Sequence, residues 1–170
     1  MKTFRRTMSI AVVIVVAVGA VLLLTPIGER PLAALFAVGD VETVDFAAPA
    51  LSDDPNWFLM CPPGLCGARA HADSPLFDVP VERLRARWRE VAAAAPRVEL
   101  LAEHVDGWQF DYVQRSARFR FPDIVTVRFI AASATQSTLA VYSRSIYGRS
   151  DFGVNRARIE TWLARLREGI

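Results

Sequence analysis

An unbroken apolar run over residues 10–24 constrains this chain more than any other feature. Lys2, Arg5 and Arg6 precede it, and no acid does. Extended to residues 8–27 it covers 20 residues. At ~1.5 Å per residue that reaches ~30 Å, the hydrocarbon thickness of a bilayer. The one-sided basic flank keeps the short tail inside and sends the remainder across. The sequence therefore predicts a basic cytoplasmic tail over 1–7, a transmembrane anchor over 8–27, a linker over 28–54 and an exported domain over 55–170. A cleaved signal peptide is the competing reading, with Val18 and Ala20 suited to cleavage after Ala20, but residues 21–24 continue the apolar run past that point. Either way residues 28–170 lie outside the cytoplasm. The expectation is a single-pass protein of the inner membrane, its C-terminal domain in the periplasm and the membrane its partner through the N-terminal helix.

The chain has 170 residues, enough for one domain. Hydrophobic residues make up 52% and charged residues 22%, which excludes a disordered or collagen-like chain. Residues 1–27 hold three basic residues and no acid, so 17 basic and 18 acidic residues remain beyond them, a balance of −1. A nucleic-acid binder needs a basic face on the domain itself, and no nucleic-acid partner is expected. Residues 31–38 form an apolar stretch too short to span a bilayer, suited to lying at a surface or packing on the domain.

Periodicity outlines that domain. Asp78, Pro80 and Glu82 mark a helix start, and Val81, Leu84, Trp88 and Val91 share one face until Pro96 stops the helix. Val98, Leu100 and Ala102 alternate with their neighbours, and Asp106-Gly107 is a hairpin signal. Trp108, Phe110 and Tyr112 line one face of the next strand, Val125, Val127 and Phe129 one face of a third, and Leu139 and Val141 belong to a fourth. A last helix carries Ile159, Trp162, Leu163 and Leu166. The predicted class is α+β: one antiparallel sheet of about four strands, helices on one face, behind an N-terminal transmembrane helix.

Cys61 and Cys66 bracket Pro62-Pro63-Gly64-Leu65. In an exported domain a short-loop disulfide is the default. A metal site with His71 is the alternative, but the spacing suits no common zinc module, and no metal is assigned. Phosphate-binding, dinucleotide and paired-histidine zinc motifs are absent. Gly148-Arg149-Ser150-Asp151-Phe152 starts like a nucleophile elbow, with Phe152 where glycine is needed. No catalytic residue and no cofactor is assigned.

Residues 143–158 are dense in small polar residues, glycine and arginine between a strand and a helix. Asp151 or a neighbour is placed to cap that helix, and Arg156 and Arg158 fall in its first turn, where the dipole disfavours cations unless an anion is near. One reading is a binding site formed by Ser143, Ser145, Ser150, Asp151, Asn155, Arg156 and Arg158 for an anionic ligand or an envelope protein. The other is a structural arginine network with Asp123, Asp151 and loop carbonyls. The pattern Ser143, Ser145, Gly148, Ser150, Asp151, Gly153, Asn155 and Arg158 resembles the family called domain of unknown function 1499. Phe121-Pro122-Asp123-Ile124-Val125 and Pro55-Asn56 resemble that family's other motifs, so the similarity spans about residues 55–168. It implies a domain often exported or attached to membranes, and no established activity.

The favoured class is a binding or interaction module without chemistry of its own. A hydrolase or transferase using Ser143, Ser145 or Ser150 with Asp151 or Asp123 is the second, weakened by the lack of any histidine tied to the motif. A structural component of an envelope complex is the third.

Overall fold

The structure, a computed structural model, describes residues 2–24 and 34–170. Helix α1 spans Lys2–Leu24, with side chains described for Met8 and residues 10–21. Among the described residues no helix is long and apolar enough to cross a membrane. The transmembrane anchor expected over 8–27 is therefore not borne out. Residues 25–27 of that expected span lie outside the described residues.

Strand pairing builds the domain. The strands are β1 Trp57–Cys61, β2 Ala72–Asp73, β3 Val98–Glu103, β4 Gln109–Arg115, β5 Pro122–Ala131 and β6 Ser137–Ser145. They form one six-stranded sheet in the order β2-β1-β6-β5-β4-β3. β1 pairs with β2 in parallel, and every other pair is antiparallel. The expectation of about four antiparallel strands is thus corrected to six strands in a mixed sheet. The four expected strands are β3 to β6. The missed β1 is a short continuous apolar run, which periodicity cannot separate from a buried helix segment. The missed β2 has two residues and no pattern at all.

Helices α2 (Val81–Ala94) and α3 (Val154–Arg167) lie on one face of the sheet. Their apolar stripes meet Phe58 of β1, Phe110 and Tyr112 of β4, Val125, Val127 and Phe129 of β5, and Val141 of β6. Trp88 of α2 is fully buried, edge-on to Trp162 of α3 at 5.4 Å and to Phe129 at 6.2 Å. The predicted start of α2 needs one change: no side chain caps it. Asp78 instead accepts a hydrogen bond from Gln136 Nε2 at 2.8 Å. Arg85 of α2 lies over the Trp108 ring at 4.7 Å and donates to Gly107 O at 2.9 Å. At the β3–β4 hairpin, Gly107 takes φ +70°, a conformation open to glycine.

The opposite face is covered by irregular chain. Residues 34–52 run across it as a strap, seated at one end by Phe36 against Phe121 and Tyr147 and at the other by Phe46, 3% exposed. Phe46 packs with Leu59, Ala140, Tyr142 and the Cys61–Cys66 disulfide. That disulfide closes the loop after β1, its Cα atoms 6.0 Å apart. Replacing both cysteines by serine should lower unfolding free energy by about 2 kcal/mol through loop-closure entropy. Urea titration of the oxidised, reduced and doubly substituted proteins checks this: reduced wild type should match the double variant.

Candidate functional site

The 143–158 motif folds into a buried polar knot where α3 meets the sheet. Register puts Gln114, Asp123 and Ser145 side by side across β4, β5 and β6. Arg158, one turn into α3, reaches over that row. Its Nε donates to Gln114 Oε1 and its Nη2 to Asp123 Oδ2. Its Nη1 donates to Ser143 Oγ at 2.8 Å and to Asn155 Oδ1. Asn155 is fully buried; its Oδ1 accepts from Ser143 Oγ at 2.6 Å, and its Nδ2 donates to Asn56 O at 2.9 Å and to Ser145 Oγ at 3.2 Å. Asn56, just before β1, donates through Nδ2 to Gly148 O at 2.6 Å. The motif residues therefore satisfy one another, and they join α3 to β1, β4, β5 and β6.

The helix start is built by the same segment. Gly153 sits at the N-cap with φ +82°, a conformation that a Cβ would strain. The Asp151 carboxylate accepts from Gly153 N at 3.0 Å and from Asn155 N at 2.8 Å, replacing the missing cap side chain. Partial burial works against its ionisation, but the amides of Asn155 and Gly153 outweigh burial and hold the carboxyl below its usual range. Ser150 Oγ accepts from Phe152 N at 3.3 Å, a local turn bond.

Of the seven expected site residues, Ser143, Ser145, Asn155 and Arg158 come together in the knot. Asp151 stands beside it as the cap. Ser150 and Arg156 point outward: Arg156 lies over the Phe58 ring at 4.6 Å and pairs with Glu160 at 3.7 Å. Ser143 is fully buried and Asp123 is tied to Arg158, so the Ser143–Asp123 pair has no open path to a substrate. His71 belongs to the fold. Its Nδ1 accepts from Leu59 N at 3.2 Å. Burial lowers its pKa, the Arg156 charge adds to that, and Asp151 opposes it. The cysteines are spent in the disulfide. Among the described residues no group of three or more His, Cys, Asp or Glu side chains is placed to hold a metal ion.

A second constellation, on the strap side, escaped the sequence reading. Asp111, Thr126 and Tyr142 stand in one row across β4, β5 and β6, and Val113, Ile124 and Arg144 in the next. His104 Nε2 lies 2.7 Å from Asp111 Oδ2, and Thr126 Oγ1 donates to Asp111 Oδ1. Arg144 Nη1 donates to Thr126 Oγ1 at 3.1 Å, with its guanidinium over the Tyr142 ring at 4.8 Å. Burial pushes the Arg144 pKa down, while Tyr142, Asp111 and Glu42 pull it up. Above Arg144 the strap arches away over residues 38–45, and the cleft left beneath it has a volume of about 350 Å³. The signal was present in the period-two alternation: once Val125, Val127 and Phe129 take the helix side, Ile124, Thr126 and Arg128 must take the other.

An α+β domain whose C-terminal helix is bound to its sheet by one buried arginine knot is the class this geometry defines. The chain belongs to the family described as "Protein of unknown function (DUF1499)", whose sequence profile matches residues 61–166. A search of curated proteins returns no match. Among solved structures, the di-domain ARO/CYC BexL from the BE-7585A biosynthetic pathway is similar over 56% of this chain and 44% of its own, at 16% identity and a TM-score of 0.39. The chain thus spans less than half of that protein's length. An uncharacterised protein from Rhizobium leguminosarum is similar over 56% of this chain and 91% of its own, at 14% identity and a TM-score of 0.37.

Two outcomes follow from the knot. Arg158→Met strands the Asp123 charge in the interior and should cost about 3–5 kcal/mol, part of which Asp123→Leu in the same chain restores. Denaturant unfolding of the single and double variants measures both. Asp151→Asn should cost about 1 kcal/mol at neutral pH. Because the folded pKa of Asp151 is lowered, its contribution is whole above the ordinary carboxyl value and is lost as pH falls through the lowered one. The gap between wild type and Asp151→Asn should close over that acid range.

Proposed function

We propose that this domain is a binding module without chemistry of its own, and that its ligand site is the strap-side cleft floored by Arg144. The observation that carries this reading is a half-buried arginine that forms no ion pair among the described residues. Buried guanidinium groups are ordinarily paired, since desolvating an unpaired charge is costly. A charge held unpaired at the base of a cleft of small-molecule size is arranged for something that enters from outside. The 143–158 motif then serves as the scaffold that fixes β6, and with it Tyr142 and Arg144, in position.

The module works in an oxidising compartment. The Cys61–Cys66 disulfide supports this, because such bonds persist outside the cytoplasm, and so does the basic-then-apolar N-terminus.

Native mass spectrometry of the full-length protein, purified without denaturation, tests the cleft. A small molecule should accompany the wild type and be missing from Ala50→Trp, whose indole fills the space under the arch. A bound mass unchanged by Ala50→Trp would remove the cleft as the site. Thiol labelling in intact cells should leave Cys61 and Cys66 unmodified until a reductant is added; ready labelling of both would refute the compartment.

A further inference from the structure

The cleft also specifies what enters it. A guanidinium has five donors in a fixed planar fork. In Arg144 the Nη1 side is used: it is pinned to Thr126 Oγ1, and Thr126 is pinned to Asp111. The Asp111 charge meets the guanidinium only through Thr126, and His104 engages its other oxygen. Nε and Nη2 have no hydrogen-bond partner among the described residues. That edge presents two parallel N–H groups, the spacing that a carboxylate accepts in bidentate fashion. Stacking on Tyr142 holds the plane still, so little rotamer freedom remains to be lost on binding.

The rest of the lining narrows the class. Ile124, Tyr142 and Ile146 form an apolar wall on the sheet side, and Val38, Val41 and Val44 face them from the strap. Asp40, Glu42 and Asp45 line the same cleft and are exposed. An acidic rim above a single cation repels a multiply charged anion such as phosphate far more than it repels one carboxylate. The volume corresponds to on the order of ten waters, the scale of a short-chain or single-ring acid.

We propose that the strap-side cleft binds a small monocarboxylic acid, its carboxylate on the Nε–Nη2 edge of Arg144 and its apolar body between the sheet and the strap. This inference rests on the reading of the cleft as the ligand site. The experiment is isothermal titration of the full-length protein with octanoate and with phenylbutyrate, beside octylamine and inorganic phosphate. Wild type should bind both acids saturably and should bind neither the amine nor phosphate. Arg144→Gln should weaken the acids by about thirtyfold or more, and Arg144→Lys, which keeps the charge but loses the fork, should fall between. Melting curves identify any variant that fails to fold, and Ala50→Trp, which leaves Arg144 intact, must abolish acid binding independently. Acids that bind Arg144→Gln as tightly as wild type, or phosphate that binds better than the acids, would overturn the carboxylate assignment. If neither acid binds while native mass spectrometry still finds a mass that Ala50→Trp excludes, the carboxylate falls and the cleft stands. If the acids bind Ala50→Trp unchanged, the cleft itself is wrong.

Discussion

The guanidinium of Arg158 is what the domain is assembled around. A charge 8% exposed must be paired with another charge and have its remaining donors satisfied, or folding stops short. Arg158 meets both demands with groups drawn from separate strands: Gln114 from β4, Asp123 from β5 and Ser143 from β6, with Asn155 from its own helix. Apolar packing alone would let α3 slide and rotate on the sheet. The knot leaves one position in which every polar atom of Arg158 and Asn155 has a partner. Asn155 then extends the arrangement to β1 through the Asn56 carbonyl. A polar core of this kind adds uniqueness more surely than it adds stability.

The two faces of the sheet are finished in different ways, and the difference locates the candidate site. On the helix face, two amphipathic helices supply regular apolar stripes that close over aromatic and branched side chains. On the other face the cover is a strap with no period of its own. It seats firmly where it offers Phe36 and Phe46 and arches where it offers Asp40 and Glu42, which do not bury. Arg144, hydrogen-bonded to Thr126 and through it to Asp111, lines the cleft under that arch.

Long periodic segments were readable from sequence. The stripes of α2 and α3 follow from burial on one face, and the alternating large side chains of β4 and β5 mark the face those helices cover. β3 is exposed along nearly its whole length, so its alternation does not reflect burial. β1 and β2 were not readable, because β1 is uniformly apolar and β2 takes its strand character from pairing with β1 alone. The 143–158 motif stood out by composition, yet composition could not say whether its arginines turned inward or outward. The structure sends Arg158 in and Arg156 out, two residues apart on one helix turn. The Arg144 cleft was invisible for another reason: its floor comes from alternate residues of two strands and its roof from a segment without periodicity, so only the fold brings them together.

The sheet order has a kinetic side. β1 is the first strand of the domain, and it pairs with β6, the last. The Asn155–Asn56 bond spans 99 positions, and the bond from Asn56 to Gly148 spans 92. Contacts this distant along the chain close slowly, since the loop entropy must be overcome before they return any stabilisation. The central strands can form local hairpins early, but β1 has only the two-residue β2 to pair with until β6 arrives. A chain delivered N-terminus first therefore waits for β6 before β1 can join the main sheet, and the bonds from α3 to Asn56 form after that.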